Sequence, residues 1–146
     1  MAGSETQAHL PALAEHERKE VGHLLQLTLV ELIALSLIGK QLHWNIVGPG
    51  FRELHLHLDE LTDEWRELSD VVAERAVALG YSPDGRAPAI VEQSELRPVD
   101  AGPTQVPKAI RERIERLGDL DLTSQDVLIE VTRTLEKQLW MLRSSL

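Results

Sequence analysis

The chain has 146 residues, enough for one domain with its own core, and it contains no cysteine. Disulfide bonds and thiolate metal sites are therefore excluded. Aromatic residues make up 3% of the chain and charged residues 27%, which is typical of helical proteins, because strands draw on aromatic and β-branched side chains. The net charge of −9 argues against binding to nucleic acid, whose phosphates repel an acidic protein.

Residues 1–12 are mostly small or polar, and we predict a flexible N-terminal tail before one domain over residues 13–146. The tail has neither the basic region nor the apolar stretch of a secretory signal. The first predicted helix covers residues 13–46, with apolar side chains at helical spacing. Its most apolar part, residues 24–38, is shorter than the ~20 apolar residues of a membrane-spanning helix. We therefore expect a cytoplasmic protein without a membrane segment.

A break rich in glycine and proline at residues 45–50 separates the first helix from a second one, predicted over residues 51–79. Proline and glycine then punctuate residues 80–107, where residues 90–96 could form one or two helical turns. This long segment is predicted to be an irregular connection between the second and third helices.

A third helix is predicted from Pro107, a residue type favoured at helix starts, to Leu117. A fourth helix is predicted from a cap at Thr123 to about Arg143. Four amphipathic helices with one long connection predict an all-α, ferritin-like four-helix bundle. The third helix, about 16 Å long beside partners of about 45 Å, is expected to be shortened.

Imidazole and carboxylate side chains fall on one stripe of the second helix. His55 and Asp59 are four residues apart, and so are Asp70 and Glu74. The two pairs are separated by almost three whole helical turns, which places both on the same face. His43 lies near the end of the first helix, where an antiparallel hairpin brings it close to His55. The pattern predicts two halves of a metal site.

The two halves cannot hold one ion within a single chain, because they lie about 16–22 Å apart along the helix and metal–ligand bonds are about 2 Å long. A two-fold dimer with antiparallel second helices would place His43, His55 and Asp59 against the partner's Asp70 and the partner's Glu74. Mixed imidazole and carboxylate ligands suit Fe(II), with Zn(II) and Mn(II) as competitors. The alternative is that these are ordinary solvated or hydrogen-bonded groups, as we interpret the other histidines and nearby acids: His9, His16, His23, His57, Glu60, Asp63, Glu64 and Glu67.

Three segments resemble the Dps family, the mini-ferritins or DNA-binding proteins from starved cells. They are His43-Trp-Asn-Ile-Val-Gly-Pro-Gly-Phe51, His55-Leu-His-Leu-Asp59-Glu60 and Asp70-Val-Val-Ala-Glu74-Arg75. All five ligand positions are filled at the family's spacing, and the resemblance covers roughly residues 17–96 and 109–144.

The resemblance implies a ferroxidase and iron-storage protein of the stress response that assembles into a dodecameric cage. It implies that iron (Fe²⁺/Fe³⁺) is bound by His43, His55 and Asp59 together with the partner's Asp70 and the partner's Glu74. Hydrogen peroxide, or O2, would oxidise the iron, and ferric mineral would be stored in the cage. Trp44, beside the site, would intercept stray radicals, although a plain packing role is an equal alternative.

The resemblance also implies a role for Asp119, Asp121 and Asp126, which lie in the segment that forms the family's acidic three-fold pore. A ring of carboxylates would draw Fe(II) into the cage by its negative potential. The alternative is that these residues cap the last helix and compensate its dipole.

Two features depart from the family. Residues 1–20 carry four acidic side chains against two basic ones, and Ser144-Ser-Leu146 adds no basic extension, so we expect no appreciable affinity for DNA. The resemblance implies a third helix about as long as the others, and against that length the chain lacks roughly 15–20 residues around Gln105 to Ala109, which leaves cage assembly open. The competing functions are a non-catalytic metal-binding bundle and a DNA-protecting nucleoid protein.

Overall fold

The computed structural model describes residues 13–96 and 105–144, which form five α-helices and no strand. The helices are α1 Glu15–Asn45, α2 Phe51–Ala78, α3 Ala87–Gln93, α4 Gln105–Gly118 and α5 Leu122–Ser144. The predicted all-α four-helix bundle is confirmed, with α1, α2, α4 and α5 as its helices and α3 in the long connection. The predicted tail, residues 1–12, lies outside the described residues.

The turn between α1 and α2 depends on two glycines. Gly48 and Gly50 have φ angles of 103° and 77°, in the left-handed region that side-chain-bearing residues rarely adopt. Pro49 stands between them with its φ fixed by the ring. The chain therefore reverses within a few residues, and the last turn of α1 lies beside the first turns of α2.

Side-chain contacts between α2 and α5 set their relative direction. Trp65, midway along α2, donates its indole N–H to Gln138 near the end of α5 (2.8 Å). Arg75, near the end of α2, bonds to Ser124 at the start of α5 (3.0 Å). The two helices are therefore antiparallel, and α5 points in the same direction as α1.

Two ion pairs set the direction of α4. Arg113 pairs with Glu31 at 2.8 Å, and Arg116, one turn later, pairs with Glu20 at 2.6 Å. The helix α4 therefore runs antiparallel to α1 and parallel to α2. Since α2 and α4 point the same way, the segment between them must return along the whole bundle, which explains the long connection.

The connection is fixed to α1 by one buried amide. The side chain of Gln26 accepts a hydrogen bond from the backbone N–H of Asp84 (2.8 Å) and donates to its carbonyl oxygen (2.7 Å). It also donates to Gln93 at the end of α3 (3.1 Å). The one or two turns expected over residues 90–96 are found slightly earlier, as α3 over Ala87–Gln93.

The core is one continuous cluster with contributions from α1, α2, α4 and α5. Burial of each large aliphatic side chain stabilises the fold by about 1.5–3 kcal/mol. The fully buried members of the cluster are Val21, Leu25, Leu32, Val72, Leu79, Ile110, Leu117, Leu128 and Val131.

Among the described helices, α1 alone is long and apolar enough to cross a membrane. Of the most apolar 18-residue stretch of α1, 67% is buried inside the protein. Gln26, Thr28 and Glu31 are also buried there and contact other parts of the bundle. The core helix of a bundle passes the same test of length and composition, and we interpret α1 in that way.

The second half of the bundle differs from the prediction in detail. The helix α4 is as short as expected, with 14 residues against 31 in α1, but it begins at Gln105 rather than Pro107. The predicted cap at Thr123 is wrong. The last helix begins at Leu122, and Asp121 caps it by accepting a hydrogen bond from the backbone N–H of Ser124 (3.1 Å).

Candidate metal centre

His43 and His55 hold each other in place across the α1–α2 hairpin. Nδ1 of His43 donates to the carbonyl oxygen of His55 (2.8 Å), and Nδ1 of His55 donates to the carbonyl oxygen of His43 (2.9 Å). A carbonyl oxygen can only accept, so each Nδ1 carries the hydrogen. In the neutral imidazoles each Nε2 is then left with a lone pair, which is the arrangement that a metal-binding histidine needs.

The two imidazoles are also in direct contact. Their ring centroids lie 3.6 Å apart with planes at 19°, and the ring of Phe51 lies 5.0 Å from that of His55. The His43 side chain is buried and the His55 side chain is half-buried. Stacking, burial and the reciprocal hydrogen bonds fix both rings before any ligand arrives.

Asp59 completes a cluster of three predicted ligands. Its Oδ1 lies 3.8 Å from Nε2 of His43, and the same oxygen forms an ion pair with the ammonium of Lys40. The hydrogen bond from Lys40 lowers the pKa of Asp59, and positive charge on His43 would lower it further against the opposing effect of burial. The carboxylate is therefore ionised and available as a ligand at neutral pH.

Asp70 and Glu74 lie on the same helix but away from this cluster. They follow Asp59 by roughly 16–22 Å of helix and are exposed to solvent. Within residues 13–96 and 105–144, no three histidine or acidic side chains stand close enough together to hold a metal ion. One chain thus brings His43 close to His55 and to Asp59 without forming a three-ligand site of its own, and it leaves Asp70 and Glu74 apart.

Trp44 and the other histidines of the described residues lie outside the cluster of His43, His55 and Asp59. Trp44 is 69% exposed beside the histidine pair. His16 and His23 are exposed on α1, and His57 faces Glu60 at 3.7 Å rather than the cluster. His9 lies outside the described residues.

The three acidic residues near the start of α5 have different surroundings. Asp119 and Asp126 are exposed, whereas the Asp121 side chain is only 12% exposed and bonds to Arg75 (2.8 Å) and Ser124. Burial raises the pKa of Asp121, but the hydrogen bonds from Ser124 and Arg75 outweigh it and leave the pKa below its usual value. Asp121 therefore fastens the α5 turn to α2.

Sequence reasoning missed Lys40 and Arg75. Lys40 precedes His43 by three residues, so helical spacing could have placed it on the ligand face. Arg75 follows Glu74 directly, but its contact with Asp121 joins distant parts of the chain and leaves no local pattern.

Comparisons with known proteins identify the family of this fold. The ferritin-like domain family matches residues 22–146. The "DNA protection during starvation protein" of Mycolicibacterium smegmatis is 36% identical and aligns over 97% of this chain and 85% of its own length. The "Fine tangled pili major subunit" of Haemophilus ducreyi is 38% identical over 86% of this chain and 76% of its own length.

A solved structure, the tetragonal form of Mycobacterium smegmatis Dps, superposes with a TM-score of 0.88 and 35% identity. The superposition covers 93% of this chain and 92% of the Dps chain. Fold, sequence and the spacing of the histidine and acidic residues lead to one assignment: the chain belongs to the Dps family of ferritin-like proteins.

Proposed function

We propose that the chain is a ferroxidase and iron-storage mini-ferritin. It takes up Fe(II) at sites shared between subunits, oxidises it with hydrogen peroxide or O2, and stores ferric mineral in a cage. The observation that carries the proposal is the half-site at the α1–α2 turn. There, two fixed imidazoles each leave Nε2 free, and the ionised carboxylate of Asp59 lies 3.8 Å from Nε2 of His43.

A second copy of the chain supplies the missing ligands in this proposal. When two α2 helices lie antiparallel, Asp70 and Glu74 of each chain reach the histidine half-site of the other, which makes two identical sites. Exposed apolar side chains on both sides of the hairpin turn support such a contact, because a second copy would cover them. They are Trp44, Val47, Phe51, Leu54 and Leu56.

The ligand set suits the oxidation of iron as a substrate. Imidazole nitrogens bind Fe(II) well, and carboxylates favour Fe(III) as the harder ion. Two Fe(II) ions each lose one electron, and one hydrogen peroxide takes up both electrons and two protons to give two waters. No hydroxyl radical is released by this balance. Glu74 is the principal carboxylate ligand in our proposal, and Trp44 intercepts any radical that escapes.

The iron-conducting pore is also part of the proposal. Asp119 and Asp126 are exposed and free to line an acidic opening around a three-fold axis. Asp121 contributes its charge to the same turn, but its bonds to Arg75 and Ser124 give it a structural role as well. In this proposal the protein acts in the cytoplasm as a dodecamer and does not coat DNA.

Fe(II) oxidation tests the function directly. Anaerobic protein is mixed with Fe(II) and hydrogen peroxide, and the near-ultraviolet absorbance of the ferric product is followed. We expect the His43→Ala/Asp70→Ala variant to oxidise iron at least ~10-fold more slowly than the parent chain. The matched control is His57→Ala/Asp63→Ala, which alters the same residue types outside the cluster and should keep the parent rate.

Equal rates for the parent and the His43→Ala/Asp70→Ala variant would refute the site assignment. If the parent chain bound Fe(II) but oxidised it no faster than Fe(II) reacts without protein, the result would instead support the non-catalytic metal-binding bundle.

A further inference from the structure

Lys40 places a positive charge inside the histidine–carboxylate half-site. Its ammonium pairs with Oδ1 of Asp59, the oxygen that also lies 3.8 Å from Nε2 of His43. That nitrogen is the one left free for a metal, since Nδ1 is bonded to the His55 carbonyl oxygen. The ammonium therefore already pairs with the carboxylate oxygen that a divalent cation would have to share with His43.

The burial of the pair distinguishes it from an ordinary surface ion pair. The Lys40 side chain is 23% exposed, whereas Lys19, which pairs with Glu15 on the same helix, is 73% exposed. Lys40 lies in the crevice between α1 and α2, so its position is set by the hairpin. A carboxylate with a partner of this kind is already charge-compensated before metal arrives.

We propose that Lys40 is a specificity-determining residue of the half-site, an internal cation that a divalent metal ion must displace from Asp59. The inference rests on the proposed function for the identity of the metal as Fe(II). Lysine suits this role because its ammonium is a point charge on a flexible stem, which can swing out into solvent. Arginine would hold the carboxylate with two parallel hydrogen bonds and release it less readily.

The role has two consequences for binding. Removal of the ammonium removes a competitor, so the affinity for a divalent cation rises. Without metal, however, the Asp59 charge lacks its partner, so the half-site loses part of its order. A residue that only supported the fold, or that only positioned Asp59, would lower metal affinity when replaced.

Co(II) binding to the 146-residue chain tests the proposal, because Co(II) is stable in air and its visible absorbance reports ligation by imidazole and carboxylate. We expect Lys40→Met, which keeps the apolar stem, to bind Co(II) roughly fivefold more tightly than the parent chain, the upper range for a partly exposed ion pair. Lys40→Arg should bind Co(II) more weakly than the parent. Lys19→Met, which breaks the Lys–Glu pair at the far end of α1, should leave the affinity unchanged.

Equal or weaker Co(II) binding by Lys40→Met would overturn the proposal, as would tighter binding by Lys40→Arg. If Lys40→Met does not fold, as judged by circular dichroism and light scattering, Lys40→Gln replaces it, with the same two outcomes. A different result would refute the proposed function. In that case the parent protein would bind Co(II) no better than the His43→Ala/Asp70→Ala variant.

Discussion

Arg113 of α4 and Glu31 of α1 form a two-pronged ion pair in the interior of the bundle. The guanidinium donates to the two carboxylate oxygens at 2.8 and 2.9 Å and to the hydroxyl of Thr28 at 3.1 Å. The two side chains are only 10% and 4% exposed. Because α4 has 14 residues, this pair is a large part of the polar contact that joins α4 to the core helix.

Replacement of Arg113 by methionine should destabilise the protein strongly. The change leaves the Glu31 carboxylate buried without a partner, and such a loss costs about 3–5 kcal/mol. Urea unfolding at neutral pH, followed by circular dichroism, measures the effect. The double variant Arg113→Met/Glu31→Leu should recover much of the stability, because the uncompensated charge is gone. A double variant as unstable as the single one would contradict this account.

Gly39 sets the distance between α1 and α2 next to the metal half-site. A Cβ at this position would lie 2.6 Å from Oγ1 of Thr62 and 2.7 Å from the ring of Trp65. Gly39→Ala should therefore push the helices apart, at a cost of about 1–3 kcal/mol. Lys40 and His43 follow Gly39 on the same helix, so the displacement should also disturb the half-site. We therefore expect Gly39→Ala to lower the affinity for Co(II).

The control for this substitution is Gly85→Ala in the connection, where the new Cβ would meet only the tip of Ile33 at 3.0 Å. This variant should change neither Co(II) affinity nor the unfolding midpoint by more than a small amount. If Gly39→Ala binds Co(II) as well as Gly85→Ala does, the helix spacing does not control the half-site.

The parts of the fold that follow from local pattern could be predicted, and those that depend on long-range contacts could not. Helical spacing of apolar residues and the Gly48-Pro49-Gly50 break were enough for the α1–α2 hairpin, and hence for the proximity of His43 and His55. The cap of α5 was misplaced, because Thr123 and Asp121 are both good cap residues. What selects Asp121 is its bond to Arg75, 46 positions away in sequence.

The stability that Asp121 contributes should depend on pH. Its pKa is below the usual value in the folded protein, so its contribution is present above the unfolded pKa of about 3.9 and is lost as pH falls through the lower folded pKa. Asp121→Ala should cost about 1–2 kcal/mol at pH 7, the value of a helix cap.

Urea unfolding of the parent and of Asp121→Ala at a series of pH values tests this prediction. The two stabilities should converge as the solution becomes strongly acidic. Asp119→Ala serves as the control, since Asp119 is exposed, and it should behave like the parent at every pH. A difference that stays constant down to the lowest pH would show that the carboxylate charge is not the cause.

The protein should not retard or condense DNA. Its net charge is −9, and residues 1–20 carry more acidic than basic side chains, so contact with phosphates would be repulsive. A gel-shift assay at low salt with about 1 μM protein, a concentration at which non-specific DNA binders form complexes, is the test. Retarded or compacted DNA under these conditions would contradict this prediction.

Light scattering should find a dodecamer of about 200 kDa, given a chain of 16.4 kDa. The contacts proposed for the two-fold dimer lie on α1 and α2, which have their full lengths of 31 and 28 residues, so the dimer does not depend on α4. The shortened α4 bears on the assembly of dimers into a cage. A stable dimer that still oxidises Fe(II) would therefore support the metal site shared between two chains. The same result would refute the proposed dodecameric cage, together with its pore and its mineral store.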